Sequence, residues 1–169
     1  EVVNHKKAFD YLLNYKNDIS RKFICDLHDL VIKDTLKPDL SYQAGKYRNI
    51  QVFIRGVEFL PAKPSEVPRE MKSLLSWYSR NKNALHPLIV ASYFHIVFEM
   101  IHPFVDGNGR VGRLLMNFIL HKNKYPMINI PNLLKLDYYN ALEEAQIKKN
   151  FRPFIELLLK TLRESKIMF

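Results

Sequence analysis

Cysteine is nearly absent from this sequence, in which Cys25 is the only one among 169 residues. A single thiol excludes a disulfide within the chain and a zinc site built from cysteines. Because Cys25 lies in an apolar stretch at residues 23–27, we expect it on the buried face of a helix. We therefore interpret it as a structural thiol and not as a nucleophile.

The sequence also has no apolar run long enough to cross a membrane, no N-terminal signal pattern and no low-complexity linker. Its hydrophobic content of 47% and charged content of 25% are typical of a globular protein. A length of 169 residues is enough for one domain with its own core. We therefore expect a single-domain cytoplasmic protein that has no membrane partner.

Negative charge is scarce, because 17 acidic residues stand against 26 Lys and Arg and give a formal net charge of +9. Such an excess is typical of nucleic-acid-binding proteins, but here the basic residues are scattered and form no long run. We interpret them as a solvated basic surface and do not expect nucleic acid as a partner. An anionic nucleotide substrate would be attracted by the same field.

Most of the chain has apolar residues spaced three or four apart, which predicts helices. Asp18 precedes one such segment and is a candidate N-cap. His86 and Pro87 open a segment that is apolar around most of its circumference, as expected of a central buried helix. The predicted helices cover residues 5–15, 19–34, 71–78, 86–101, 110–122, 132–148 and 153–164.

Residues 47–60 have a different pattern. Apolar Ile50, Val52 and Ile54 alternate with other residues, and Gly56 follows them, which predicts a short β-hairpin. The expected fold is therefore an all-α bundle with one β-hairpin. An isolated hairpin is marginally stable in water, so it could also be a decoration packed on the bundle.

The helical pattern is interrupted by a segment that concentrates chemically versatile residues. Residues 102–113 read HPFVDGNGRVGR and contain three of the five glycines in the chain. Histidine titrates near neutral pH, aspartate oxygens bind hard cations, glycine allows close backbone approach, and arginine pairs with phosphate oxygens. Together these residue types indicate phosphate chemistry.

Beyond the glycines, polar residues recur on one side of the next predicted helix. Arg110, Arg113, Asn117 and His121 are spaced three, four and four residues apart and form one stripe. A bound polyanion would pair with the two arginines and with the N–H groups at the helix N-terminus. In the alternative reading, the glycines only cap the helix and the arginines extend to solvent.

A second interpretation uses the same histidine. His95, Glu99 and His102 share one face of the preceding helix and could form a metal-ligand set. The short spacing of zinc-protease motifs is absent, however, and a histidine in an apolar helix is more often a hydrogen-bonded core residue. We therefore favour the phosphate interpretation.

The segment HPFVDGNGRVGR resembles the signature of the Fic family of protein adenylyltransferases, with every position filled. The resemblance extends over most of the chain: residues 46–54 are similar to the family's flap, and residues 137–145 and 152–157 to its closing helices. It implies that residues 1–169 form a single Fic domain, an all-α bundle of about seven helices with one β-hairpin flap.

The resemblance implies that the chain transfers AMP from ATP to Ser, Thr or Tyr hydroxyls of a target protein and releases pyrophosphate. His102 would be the general base, and Asp106 would hold Mg²⁺ against the phosphates of ATP. The expected nucleotide contacts are Gly107, Asn108, Gly109, Arg110, Arg113, Asn117, Tyr139 and Gln146. The flap residues expected to bind the target as an added strand are Val52, Phe53 and Ile54.

Other functions stay open on the sequence alone. Relatives on the same fold that transfer a γ-phosphate or phosphocholine alter the signature or the ligand pose, for example with lysine at the second glycine. Gly109 at that position therefore favours adenylyl transfer. A further hypothesis is a non-catalytic module that binds nucleotides or nucleic acid, because the net charge is +9.

Many Fic proteins carry an inhibitory helix with the pattern Ser/Thr-x-x-x-Glu-Gly/Asn, whose glutamate pairs with the first arginine of the signature. In this sequence, no Ser or Thr has Glu four residues later. Since the chain begins at Glu1, ahead of a helix that follows the inhibitory segment in related proteins, we expect a fragment that lacks this segment. A separate antitoxin-like partner could supply the glutamate to Arg110 instead.

Overall fold

The computed structural model describes residues 2–54 and 59–167, which form seven α-helices and two short 3₁₀ helices. The α-helices are α1 (Val2–Asn14), α2 (Arg21–Ile32), α3 (Val67–Asn81), α4 (Pro87–Ile101), α5 (Asn108–Lys122), α6 (Lys135–Lys148) and α7 (Arg152–Ile167). The 3₁₀ helices are Pro38–Gln43 and Asn132–Leu134. The predicted all-α bundle is confirmed.

Helix α4 lies at the centre of the bundle, in contact with α3, α5, α6 and α7. Its side chains Phe94, Ile96 and Phe98 are completely buried, as expected for a helix that is apolar on most sides. Helices α1 and α2 pack against α5. The end of α4 and the start of α5 are therefore held by the rest of the bundle, and residues 102–107 connect them.

Helix α2 begins directly after Ser20, whose hydroxyl oxygen accepts a hydrogen bond from the N–H of Phe23 at 3.2 Å. The prediction of Asp18 as the N-cap is therefore wrong. Asp18 instead forms ion pairs with Lys82, which follows α3, and with Lys122, at the end of α5 (2.8 Å). These long-range contacts, which local sequence does not reveal, take the carboxylate away from the helix start.

The helix ends differ from the sequence predictions by a few residues. Helix α1 begins at Val2 rather than at residue 5, and α7 extends to Ile167 rather than to residue 164. Residues 132–134 form a 3₁₀ turn before α6 begins. The 3₁₀ helix Pro38–Gln43 has no counterpart in the apolar pattern, because a single short turn is too brief to show a helical period.

Two further features of the helices bear on the sequence expectations. Cys25 is partly buried in α2, and burial raises the pKa of its thiol, which agrees with a structural role. Among the helices that the structure describes, none combines the length and the apolar character that crossing a membrane requires.

The structure does not support the predicted β-hairpin at residues 47–60. Residues 47–54 and 59–60 contain no strand, and residues 55–58 lie outside the described part of the chain. A two-stranded hairpin is marginally stable unless other elements support it. Here the segment is fixed to the loop between α4 and α5 instead, because the N–H of Arg48 donates to the carbonyl oxygen of Pro103 at 2.8 Å.

Candidate active site

His102 ends α4 in a backbone conformation that is unusual for a residue with a side chain. Its φ of 51° and ψ of 62° are left-handed, and its N–H donates to the carbonyl oxygen of Phe98 at 2.8 Å. Pro103 follows and disfavours continuation of the right-handed helix through His102. Backbone strain of this kind concentrates at functional sites.

The imidazole of His102 is largely buried, with 19% of the side chain exposed. Burial lowers the pKa of His102 to about 4; the nearby backbone of Glu99 opposes this shift, and the positive charge of Arg48 adds to it. The ring is therefore neutral near pH 7, and one of its nitrogens can accept a proton. A general base must be unprotonated and within reach of the proton that it takes, and His102 meets the first of these conditions near pH 7.

Arg48 connects the predicted flap to the backbone of His102. It is 2% exposed, and its guanidinium group donates to four carbonyl oxygens, those of Ile50, Ala62, Ile101 and His102 (2.7 Å for His102). Two of these carbonyls end α4, where a positive charge is favourable. The other two lie on either side of residues 52–54, so one side chain fixes both the end of α4 and this part of the flap segment (residues 46–54).

His28 in α2 supports the loop that follows His102. Its ring stacks on Phe104 at a centroid distance of 3.8 Å, Nδ1 accepts from the N–H of Gly45 at 2.9 Å, and Nε2 lies 3.0 Å from the carbonyl oxygen of Asp106. Because Nδ1 is an acceptor, Nε2 carries the proton and donates a hydrogen bond to the carbonyl oxygen of Asp106. Sequence reasoning missed His28, whose position in α2 resembles that of any core residue.

Asn108 closes the same loop from its other end. Its side-chain oxygen accepts from the N–H of Phe104, and its amide nitrogen donates to the carbonyl oxygen of Phe104, both at 2.8 Å. Gly107 caps α5 with a φ of 78°, which residues with side chains rarely adopt. The first N–H groups of a helix, here those of Asn108 and Gly109, have no acceptor within the helix and can bind an anion.

Asp106 presents its carboxylate to solvent, with 62% of the side chain exposed. Oδ1 accepts from the N–H of Gly107 at 2.5 Å, and Oδ2 lies 3.6 Å from Nη2 of Arg110. Mg²⁺ commonly binds one or two carboxylates and completes its shell with water and phosphate oxygens. An exposed carboxylate beside an anion-binding helix N-terminus fits this ligand set.

The alternative metal-ligand set of His95, Glu99 and His102 does not form. In the described part of the chain, no group of three or more His, Cys, Asp or Glu side chains could hold a metal ion. Nε2 of His95 instead lies 2.8 Å from the hydroxyl oxygen of Tyr138 in the core. His95 is therefore the hydrogen-bonded core histidine that the sequence favoured.

Arg113, in the second turn of α5, lines a cavity of about 370 Å³. A Cβ atom at Gly109 would lie 3.2 Å from Nη1 of Arg113, so glycine lets the guanidinium group lie close to the first turn. The cavity is of the size that small-molecule ligands occupy. Its lining residues are Arg113, Asn129, Ile130, Pro131, Asn132, Lys135, Tyr138 and Tyr139.

The other predicted nucleotide contacts are not all at this cavity. Tyr139 lines it and is 50% exposed. Asn117 pairs its amide with the backbone N–H and carbonyl oxygen of Ile128, at 2.7 and 3.0 Å, and so holds the loop that forms one cavity wall. Gln146 is buried in α6 and does not line the cavity. His121, which belongs to the polar stripe but is not a predicted nucleotide contact, is exposed at the end of α5.

The predicted target-binding residues differ in exposure. Phe53 is 79% exposed, whereas Val52 and Ile54 are partly buried. One aromatic ring is thus accessible next to the segment that Arg48 fixes. An extended peptide could contact this ring without displacing the core.

These features define a helical domain in which a strained histidine adjoins an anion-binding helix N-terminus. The sequence profile of the Fic/DOC family matches residues 18–120. Because this match covers more than half of the chain, the chain belongs to the Fic/DOC family. The resemblance inferred from the signature segment is confirmed.

Relatives in animals are similar over nearly the whole chain. The protein adenylyltransferase Fic of Nematostella vectensis is 37% identical over 165 residues, which cover 95% of this chain and 37% of that protein. The protein adenylyltransferase Fic of Drosophila melanogaster is 34% identical over 162 residues, 94% of this chain and 32% of that protein. The chain therefore spans about a third of the length of these curated relatives.

A solved structure of Fic-1 from C. elegans has the same fold. It superposes with a TM-score of 0.84 and 28% sequence identity, and the match covers 98% of this chain and 48% of that chain. The arrangement of α1 to α7 is thus the arrangement found in an animal Fic protein.

Proposed function

We propose that this chain is the catalytic domain of a protein adenylyltransferase, which transfers AMP from ATP to a hydroxyl side chain of a target protein. The animal relatives described above have this name. The main support is the junction of α4 and α5. There a neutral imidazole at His102, an exposed carboxylate at Asp106 and two arginines surround one helix N-terminus.

In the proposed reaction, His102 takes the proton from the target hydroxyl, and the hydroxyl oxygen forms a bond to the α-phosphorus of ATP. The bond from this phosphorus to the oxygen of the β-phosphate breaks, so pyrophosphate leaves and AMP stays on the target. Mg²⁺ held by Asp106 and phosphate oxygens would neutralise negative charge. The protein contributes mainly position and positive charge, as in other phosphorus transfers.

We assign the nucleotide contacts by their place around α5. The N–H groups of Asn108 and Gly109 would bind phosphate oxygens, and Arg110 and Arg113 would pair with the β- and γ-phosphates. Tyr139 would border the adenine in the cavity next to Arg113. Gln146 stays a prediction for the same base pocket, and Asn117 acts through the loop that it holds.

We propose that the target lies along residues 52–54 as an extended segment. In the described residues this segment has no strand partner, and an incoming peptide would provide one through its backbone. The exposed ring of Phe53 would then pack against target side chains. This contact would place the target hydroxyl on the side of the flap that Arg48 joins to His102.

We further propose that a carboxylate competing for Arg110 inhibits the reaction, whether it comes from an inhibitory segment or from a separate antitoxin-like partner. A carboxylate and a phosphate use the same guanidinium fork. A peptide with the Ser/Thr-x-x-x-Glu-Gly/Asn pattern should therefore reduce transfer, and the same peptide with Gly in place of Glu should not. Equal effects of both peptides would contradict this proposal.

Intact-mass spectrometry tests the proposed function. Candidate target proteins are incubated with this chain, ATP and Mg²⁺, and adenylyl transfer predicts a mass gain of one AMP group. A gain of one phosphate would identify a phosphotransferase instead, and a phosphocholine gain with CDP-choline as donor would identify a phosphocholine transferase. ATP binding without any modification would identify a non-catalytic module.

A further inference from the structure

Glu99 is a buried acid next to the proposed base. It lies on α4 one turn before His102 and is 7% exposed. Its Oε2 atom is 3.7 Å from Nδ1 of His102. Within the described residues, neither Nδ1 of His102 nor Oε1 of Glu99 has a hydrogen-bond partner. Oε2 of Glu99 therefore faces Nδ1 of His102, whereas the unpartnered Oε1 lies on the side of Gly112 and His95.

The neighbouring helix leaves room for this carboxyl group. A Cβ atom at Gly112 of α5 would lie 2.4 Å from Oε1 of Glu99 and 3.1 Å from Nδ1 of His95. A carboxyl oxygen does not tolerate a carbon atom at 2.4 Å, so any side chain at position 112 would displace Glu99. The absence of a side chain at Gly112 thus allows an acid in the centre of an apolar bundle.

Such an acid is costly to bury, because its charged form loses hydration. Burial raises the pKa of Glu99 to about 7, and the positive charge of Arg113 from α5 opposes this shift. Burial raises the pKa of Tyr138 in α6, and the charge of Glu99 adds to this shift. On the other side, Arg48 and Asp106 are the charged groups whose fields reach His102. Stability alone does not account for a carboxyl group here.

We propose that Glu99 is a positioning residue for His102: its carboxyl oxygen Oε2 accepts a hydrogen bond from Nδ1–H, which leaves Nε2 as the nitrogen that takes the proton of the target hydroxyl. When Nε2 is protonated, the negative carboxylate stabilises the resulting imidazolium. Glu99 forms no bond to the substrate. The Nδ1–Oε2 distance of 3.7 Å must shorten slightly to form this hydrogen bond, as catalytic hydrogen bonds that are long in the absence of substrate commonly do. This inference rests on the proposed adenylyl transfer.

Two substitutions separate this role from a packing role. Glu99→Gln keeps an acceptor oxygen but removes the charge, and Glu99→Val removes both. Transfer should fall about tenfold in Glu99→Gln and about 100-fold in Glu99→Val, with little change in KM for ATP, which is the range for groups that orient an active-site ligand. The midpoint of thermal unfolding should not fall, because a buried carboxyl group has been removed.

Ser92→Ala is the matched control. Ser92 is also a buried polar residue of α4, and its hydroxyl donates to the carbonyl oxygen of Leu88 at 2.7 Å, far along the helix from His102. This variant should keep the wild-type kcat. If Glu99→Val keeps kcat within about twofold of wild type, or if kcat and the unfolding midpoint fall together in both Glu99 variants and in Ser92→Ala, Glu99 has only a packing role.

A measurement without turnover keeps this inference separate from the proposed function. Nitrogen-15 NMR of the histidine rings reports which nitrogen of His102 is protonated. Wild type should show the Nδ1–H tautomer, and Glu99→Val should lose that preference. The same tautomer in both proteins would overturn the inference even if AMP transfer is observed. The expected tautomer change without any AMP transfer would refute the proposed function alone.

Discussion

At the scale of single residues, His102 and Asp106 lie in opposite environments. His102 is mostly buried and neutral, and its backbone is strained. Asp106 is exposed, and its carboxylate lies beside the start of α5. The buried group is suited to accepting a proton, and the exposed group is suited to binding a hydrated cation.

Asp106→Asn tests this division of roles, because it removes the charge and keeps the side-chain shape. We expect Mg²⁺-dependent transfer to fall about 100-fold or more, since a neutral amide is a weak Mg²⁺ ligand. ATP affinity should fall in the presence of Mg²⁺ and change little without it. Calorimetric titration of ATP under both conditions measures this. Equal losses would indicate that Asp106 shapes the loop and does not hold a cation.

The residues that the sequence revealed are those of the signature segment, where spacing and residue type coincide. His28 and Arg48 were missed because their roles arise from partners distant in sequence, such as Asp106 and Ile101. Asn108 was expected to contact phosphate, yet its side chain holds Phe104. Side-chain hydrogen bonds between separate segments cannot be read from a local pattern.

At the scale of elements, the side chain of Arg48 holds the end of α4 and the flap segment together through hydrogen bonds. Arg48→Met would leave four carbonyl oxygens without this donor. The free energy of unfolding should fall by about 4 kcal/mol or more, since each unsatisfied buried group costs roughly 1–3 kcal/mol. Arg48→Lys keeps the charge but not the planar fork and should lose less. Urea denaturation of both variants measures the difference, and equal stability of Arg48→Met and wild type would contradict this role.

Phe53 tests whether the flap segment binds the target. Phe53→Ala should raise KM for the target protein about tenfold and leave ATP affinity unchanged, because the exposed ring is expected to contact only the target. Tyr42→Ala is the control, since Tyr42 is another exposed aromatic residue, 55% exposed on the first 3₁₀ helix. Steady-state kinetics with both substrates decide between the roles. A similar loss of affinity for ATP and target would mean that Phe53 supports the fold.

The helices were predictable and the hairpin was not, for a physical reason. A helix satisfies its backbone hydrogen bonds within one segment, so its apolar period alone defines it. A strand needs a partner, and the alternation of Ile50, Val52 and Ile54 does not show that one is present. In the described residues, the carbonyl oxygen of Ile50 is bound by the side chain of Arg48 instead of a second strand.

At the scale of the whole molecule, buried histidines make stability depend on pH. Burial lowers the pKa of His28 and His95 from 6.5 to about 4, and that of His102 similarly. As pH falls below 6.5, the unfolded chain binds protons that the folded protein does not bind, so folding loses about 1.4 kcal/mol per pH unit per histidine. Glu99 has the opposite effect. Burial raises its pKa to about 7, so below pH 7 the folded protein binds a proton that the unfolded chain does not, which offsets the contribution of one histidine.

We therefore expect the free energy of unfolding to fall by the equivalent of about two protons per pH unit between pH 6 and pH 5. Urea denaturation at these pH values measures the slope. Glu99→Gln should make the fall steeper, because the opposing group is lost, and His28→Gln should make it shallower. A stability that stays constant or rises as the solution is acidified would contradict the neutral state of the buried histidines.

The most direct test of adenylyl transfer with His102 as the general base uses ATP that is labelled either at the α-phosphorus or at the γ-phosphorus. With Mg²⁺ and a responsive target protein, label at the α-phosphorus should appear on the target, and label at the γ-phosphorus should not. His102→Ala should reduce the rate by about 10²–10⁴-fold, as expected for loss of a general base, while ATP still binds. Transfer of the γ-label, or a His102→Ala rate near that of wild type, would contradict the account.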